Sequence, residues 1–276
     1  MTTLDSIILG AVQGITEFLP VSSDGHLSVF QYFMGLTEHN LSFDIAVHFG
    51  TLLSVLTVYR KTLFQITRQI FSFLATKKMN ASARLAALVV VASVPAAVVG
   101  IGFKEFFEQL FTSIHAAIFG FVVTGFFLIM TAVRGRGQMG SHFVEHLENV
   151  HKISFGQAIA IGAAQAAAIA PGISRSGLTI STGLILGLDR STAAFFSFMM
   201  AIPVIAGAVL LEAKTILQMQ PEDLRLFAVG VVTSYFVGLL GLKLVLTFVR
   251  QGRLHYFAFY VWALAAYLYI KVSMGG

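Results

Sequence analysis

Long uncharged apolar runs decide the solvent of this chain before anything else in it can be read. Leu85 to Phe103 and Leu110 to Val133 contain no Asp, Glu, Lys or Arg, and each is close to the about 20 helical residues that cross a hydrocarbon core of roughly 30 Å. With 57% hydrophobic and 11% charged residues over 276 positions, too little polar surface is left to coat a water-soluble globule. The fold class is therefore an all-α polytopic membrane protein. Comparable segments at about 43–59, 191–211, 226–249 and 255–270 bring the candidate spans to six. Cys is absent, which removes disulfides, thiolate metal sites and thiol nucleophiles. In such a chain the net charge of +5 is read by position rather than by sum, and no nucleic-acid partner is expected. The start, with Asp5 and no basic stretch ahead of the first apolar segment, does not read as a cleaved signal peptide.

Two polar stretches interrupt this apolar text: QGITEFLPVSSDGH at 13–26 and QAAAIAPGISRSGLT at 165–179. The first lies between short apolar pieces at 6–16 and 27–37 and is broken by Pro20; the second lies between 153–169 and 177–188 and is broken by Pro171-Gly172. Two short helices meeting at a polar break predict a re-entrant hairpin, tolerated at membrane depth where protein or a water-filled cavity satisfies the freed backbone groups. The alternative, a seventh full span over 153–174, puts Pro171-Gly172 inside a helix. At a constant offset of 152 residues, Gln13 matches Gln165, Ser22 matches Ser174, Gly25 matches Gly177, Gly35-Leu36 matches Gly187-Leu188, and Phe43 matches Phe195. Such agreement in one register points to duplication. Repeat one covers about 4–134, a connector about 135–152, and repeat two about 153–272. Each repeat holds one hairpin and three spans, about ten helices in all, and because three is odd the second repeat enters the membrane inverted.

Charge placement gives the orientation. The connector from Arg60 to Arg84 carries Arg60, Lys61, Arg68, Lys77, Lys78 and Arg84 without one acidic residue, so it is expected on the cytoplasmic side. Alternation then puts thirteen Lys and Arg residues on that side and four outside, with Arg175 in the interior. Both termini become extracytoplasmic.

A charged group at membrane depth costs at least about 2.5–3.5 kcal/mol on insertion scales, so Glu17 and Arg175 require partners, and they are of opposite sign. Ser174-Arg175-Ser176-Gly177, directly after Pro171-Gly172, has the makings of an anion site: amides at a helix start, hydroxyls from Ser174, Ser176 and Thr179, and a guanidinium that grips phosphate oxygens. The first stretch sets Ser22, Ser23, Asp24 and His26 after Pro20, a hydroxyl nucleophile within three residues of an imidazole, with Glu17 one or two helical turns upstream. Plainer readings compete. Serines near proline cap helices, Glu17 and Arg175 serve as a structural ion pair between repeats, and His48 is a packed or hydrogen-bonded side chain. The group His142, His146, His151, Glu145 and Glu148 reads as a solvated loop rather than a metal site. No G-x-x-x-x-G-K-[ST] phosphate loop is present, so nucleoside triphosphate hydrolysis is not expected.

The two stretches, with FDIAVHFGTLL at 43–53 and GLDRSTAAFFSFMMAIP at 187–203, resemble the bacterial undecaprenyl pyrophosphate phosphatase family, the BacA or UppP type associated with bacitracin resistance, over nearly the whole chain. The resemblance implies an enzyme of the bacterial cytoplasmic membrane that removes the terminal phosphate of undecaprenyl pyrophosphate, regenerating the carrier lipid for peptidoglycan synthesis in a site open to the periplasm. By position, Gln13 and Glu17 match the family's (E/Q)-x-x-x-E motif, Ser23 and His26 its Ser-Ser-Thr-Gly-His segment, and Arg175 its Pro-Gly-x-Ser-Arg-Ser motif. Asp24 departs from that pattern, standing where Thr is usual. It adds a carboxylate which, with Glu17, could hold a divalent cation, Mg2+ or Ca2+, or act only by like-charge repulsion. On this reading Arg175, helped by Ser174, Ser176 and Thr179, clamps the pyrophosphate and Ser23 attacks with His26 as base; His26 as nucleophile and direct attack by water stay open. So do a homo-oligomer, a polyprenyl-phosphate flippase using the same phosphate-binding tips, and a structural membrane subunit.

Overall fold

The computed structural model describes residues 1–36, 41–134 and 146–274. Among them are twelve α-helices and no strand: α1 Thr3–Thr16, α2 Ser23–Phe33, α3 Leu41–Val58, α4 Arg60–Thr76, α5 Ala81–Gly102, α6 Lys104–Phe111, α7 Ile114–Arg134, α8 Phe155–Ala167, α9 Arg175–Ile185, α10 Arg190–Leu217, α11 Pro221–Gln251 and α12 Tyr256–Ser273. A short 3-10 helix at His146–Lys152 precedes α8. Six of these helices, α3, α5, α7, α10, α11 and α12, are long and apolar enough to cross a membrane.

The hairpin helices are short because their ends are written into the sequence. α1, α2, α8 and α9 have 14, 11, 13 and 11 residues, which at about 1.5 Å per residue falls short of a roughly 30 Å core. α1 opens on a capping box between Thr2 and Asp5, and α8 opens on one between Ser154 and Gln157 at the same 152 offset. α2 is capped by Ser22, whose Oγ accepts from the Gly25 N–H at 3.2 Å, and α9 by Ser174, whose Oγ accepts from the Gly177 N–H at 3.0 Å. Both close alike. Gly35 and Gly187 take φ of 69° and 90°, while the N–H groups of Leu36 and Leu188 reach back to the carbonyls of Gln31 and Gly183 at 3.1 and 2.9 Å, the paired bonds of a Schellman cap. The chain turns over 168–174 between α8 and α9, so 153–174 is not a seventh span.

Two helices exceed the ten that the sequence reading expects, and both lie in connectors. α4 occupies the basic connector; Leu63 and Ile66 pack on the core while Phe64, Phe71 and Leu74 are exposed, a division of faces suited to a membrane–water interface. Charge alone hid this periodicity. α6 is a short amphipathic turn before α7. Of the histidine group in the second connector, His142 and Glu145 lie outside the described residues, as do the side chains of His146 and Glu148.

The halves are interleaved. α1 packs along α11 and, in the equivalent relation, α8 packs along α5; α3 meets α10 and α7 meets α12. The first helix of each hairpin is thus buried against the other half's second long helix. Small residues permit it: Gly10 and Gly14 of α1 lie against Gly230 and Gly238 of α11, and Gly162 of α8 lies against the Ala92 backbone of α5. The tips meet in the middle, where a Cβ on Gly172 would lie 2.0 Å from the Ala117 carbonyl oxygen and one on Gly25 would lie 2.8 Å from the Gly172 Cα.

Gly172 also has φ of +81°, a conformation that costs another residue about 1–3 kcal/mol before any overlap is counted. Gly172→Ala is therefore expected to lower the thermal unfolding midpoint in detergent well below that of Gly207→Ala, whose added Cβ meets nothing within 4 Å.

Candidate active site

The first tip begins at Glu17, the C-cap of α1, and ends at Ser22, the N-cap of α2. Glu17 is 5% exposed and is the hub of the polar contacts. Its Oε2 accepts from Gln13 Nε2 at 2.9 Å and from Ser23 Oγ at 2.7 Å; its Oε1 is paired with Arg175 Nη2 from the second tip. The Gln13 contact follows from the i, i+4 spacing on α1. Ser23 reaches Glu17 because Ser22 turns the chain sharply, with φ of 69° and ψ of 100°. Arg175 is the first residue of α9, so its guanidinium leaves the tip of that hairpin toward the first. Nη1 of the same guanidinium is buried without a hydrogen-bond partner.

A fourth contact to Glu17 comes from α3. His48 Nε2 lies 3.4 Å from Glu17 Oε2 and 3.3 Å from Asp24 Oδ1, while Nδ1 lies 2.7 Å from the backbone oxygen of Asp44. A carbonyl and a carboxylate only accept, so each of these contacts is attractive only with a proton on the facing nitrogen. Both nitrogens then carry one. Glu17, Asp24, Arg175 and His48 form a cluster of alternating sign, with no net charge to solvate at membrane depth. Asp44 itself accepts from Gln31 Nε2 at 2.7 Å.

The hydroxyls of the second tip serve its framework. Ser174 donates its N–H to Thr124 Oγ1 at 2.9 Å, and that hydroxyl donates to the Gly172 carbonyl at 2.9 Å. Ser176 Oγ donates to the Leu19 carbonyl at 3.2 Å, tying one tip to the other, and Thr179 Oγ1 contacts Ser197 Oγ at 2.7 Å. Of the anion-gripping set read from the sequence, Arg175 offers an unpartnered side-chain donor, while Ser174, Ser176 and Thr179 face inward.

His26 also lies elsewhere than its spacing from Ser23 implies. Its Nδ1 is 2.7 Å from the Ser22 carbonyl oxygen and its Nε2 is 2.8 Å from the Tyr260 hydroxyl on α12, leaving neither nitrogen for Ser23. The structure thus brings together Gln13, Glu17, Ser23, Asp24 and Arg175, sets Ser22 beneath them as a cap, and turns His26 away. It adds His48 and Tyr260. Asp44 and His48 are a polar i, i+4 pair within an apolar span, a signal available in the sequence; Tyr260 is 234 residues from its partner and left none.

A metal is tested by the donors present. Among the described residues no group of three or more His, Asp or Glu side chains is arranged to hold an ion. Glu17 and Asp24 do converge on one atom of His48, giving two hard oxygen donors. Mg2+ commonly takes such a partial set and completes it with water and phosphate oxygens.

Comparison with known proteins places these residues in context. The model of the family described as bacitracin resistance protein BacA matches residues 6–267. An undecaprenyl-diphosphatase of Carboxydothermus hydrogenoformans is 39% identical over 279 residues, covering 100% of this chain and 99% of that protein. One from Rubrobacter xylanophilus is 41% identical over 269 residues, covering 95% and 96%. A protein named undecaprenyl-diphosphatase 4 from Bacillus cereus is 36% identical over 266 residues, covering 96% and 95%.

Breaking a buried ion pair from one side costs about 3–5 kcal/mol, because the remaining charge is stranded. Arg175→Met should accordingly depress the unfolding midpoint in detergent, and adding Glu17→Gln should restore much of it. Additive losses in the double variant would show that the two side chains are not coupled.

Proposed function

As the chain belongs to the bacitracin resistance protein BacA family, we propose that it hydrolyses the terminal phosphate of undecaprenyl pyrophosphate at the junction of the two hairpin tips. The product, undecaprenyl phosphate, returns to peptidoglycan synthesis, and the activity confers resistance to bacitracin. The observation that carries the reading is the meeting of Arg175 from one repeat with Glu17 and Ser23 from the other. The names of the relatives agree with it.

In this mechanism the pyrophosphate enters against the Arg175 guanidinium, using Nη1 and competing with Glu17 for Nη2, while amides of the first turn of α9 lack helical partners and suit an anion. Fixed positive groups then face the charge that develops on the phosphoryl oxygens. As Arg175 turns to the substrate, its pairing with Glu17 loosens, and the Glu17 carboxylate takes the proton that Ser23 Oγ already directs at it. Ser23 Oγ forms a bond to the terminal phosphorus as the bridging P–O bond breaks, and the electron pair leaves with undecaprenyl phosphate. Water then attacks the seryl phosphate, inorganic phosphate departs, and the proton on Glu17 returns to Ser23. His48 Nε2 stands between Glu17 and Asp24; a divalent cation held by those two carboxylates would take the place of its proton and supply the charge neutralisation that the proton supplies here.

The reading extends to orientation. The basic connector with α4 lies on the cytoplasmic side of the bacterial inner membrane, the site opens to the periplasm, and both termini are extracytoplasmic.

Purified protein in detergent should release inorganic phosphate from undecaprenyl pyrophosphate, and Arg175→Ala should lower turnover by at least about 100-fold, the loss typical of one preorganised anion donor. Binding without release would favour a flippase. Rapid quenching should trap an acid-stable phosphoenzyme on Ser23; an acid-labile label would assign the nucleophile to a histidine instead. Because the chain has no Cys, a single introduced thiol reports sidedness. Thr2→Cys should react with an impermeant maleimide from the periplasm, and Lys78→Cys only after the membrane is opened.

A further inference from the structure

The two tips provide an internal control for one strained residue. Ser22 and Ser174 do the same capping work at the same repeat position, yet Ser22 has φ of 69° and Ser174 has φ of −76°. Capping therefore does not require the left-handed backbone, which a non-glycine residue adopts at a cost. At the position four residues on, the first tip has His26 and the second has Leu178. His26 Nδ1 lies 2.7 Å from the carbonyl oxygen of Ser22. That oxygen only accepts, so Nδ1 carries the proton, and in the neutral ring Nε2 is left as acceptor for the Tyr260 hydroxyl at 2.8 Å. Tyr260 also stacks on the imidazole at 5.8 Å with 10° between planes, and Phe121 meets it edge-on at 5.2 Å. The ring is fixed in position and in tautomer.

We propose that Tyr260 is a positioning residue for phosphoryl transfer: through His26 it holds the turned backbone of Ser22 and so aims the Ser23 hydroxyl at Glu17. This rests on the reading of Ser23 as nucleophile given above. His26 becomes a strut rather than a base, and a tyrosine of the last helix that is 48% exposed becomes part of the apparatus that orients the first tip.

Tyr260→Phe removes the hydroxyl and keeps the stack. It should lower kcat about tenfold, the scale of one lost hydrogen bond, with KM and the unfolding midpoint unchanged. In a His26→Ala background the same substitution should have no further effect, since the path through the imidazole is already cut. Wild-type kcat in Tyr260→Phe, or an equal loss in both backgrounds, would overturn the proposal. A second readout needs no turnover. In 15N-histidine spectra of detergent-solubilised protein, with His26 signals identified by their loss in His26→Gln, the wild type should give Nδ1–H with a hydrogen-bonded Nε2. Tyr260→Phe should lose that Nε2 bond. An Nε2–H tautomer in the wild type sinks the proposal even if the enzyme is active, whereas a protein that releases no phosphate but has the expected spectrum refutes the phosphatase reading and leaves the Tyr260–His26 link standing.

Discussion

A carboxylate and a guanidinium at membrane depth must find each other, and in this chain they do so across a duplication. Neither Glu17 nor Arg175 has an oppositely charged side chain within its own hairpin; Arg175 is answered from the other repeat, and Glu17 by Arg175 and by His48 of α3. The desolvation of both charges is tolerable only when the tips abut, and abutment in turn demands the bare backbone at Gly25 and Gly172. The tip hydroxyls, the Thr124 brace on Gly172 and the Ser176 bond to Leu19 all serve the same end. Local geometry throughout the centre of the molecule is subordinate to holding that one pair.

What the sequence disclosed follows from the range of the interactions concerned. Most of the positions shared at the 152 offset are caps: Ser22 with Gly25, Ser174 with Gly177, and the Gly-Leu pairs that close α2 and α9. Caps are decided within a few residues, so their pattern survives as readable text. The six spans were legible for a similar reason, since hydrocarbon imposes length and composition on each separately. α4 was not, because its amphipathic period is overlaid by a charge pattern that reads equally well as a loop.

The site was legible where charge was anomalous and illegible where geometry decided. Glu17 and Arg175 stand out against an apolar background. His26 beside Ser23 suggested a nucleophile and its base, but helix spacing says only that two residues share a region, not which way an imidazole turns. Its direction is set by a tyrosine 234 residues away and by a backbone carbonyl. His48 lay in plain view with Asp44 one turn before it, yet its carboxylate partners belong to the first tip, and no local rule connects α3 to that tip.

The interleaving of the halves bears on the order in which the molecule comes into being. α1 emerges from the ribosome before the other described helices, but its principal packing partner, α11, begins at Pro221, and the tyrosine that pins His26 lies later still on α12. A chain inserting from its N-terminus therefore carries its first hairpin, with Glu17 and Ser23, through most of synthesis without the surface that seats it. The junction of the two tips is among the last contacts to form, so a partly inserted chain lacks the Glu17–Arg175 pair.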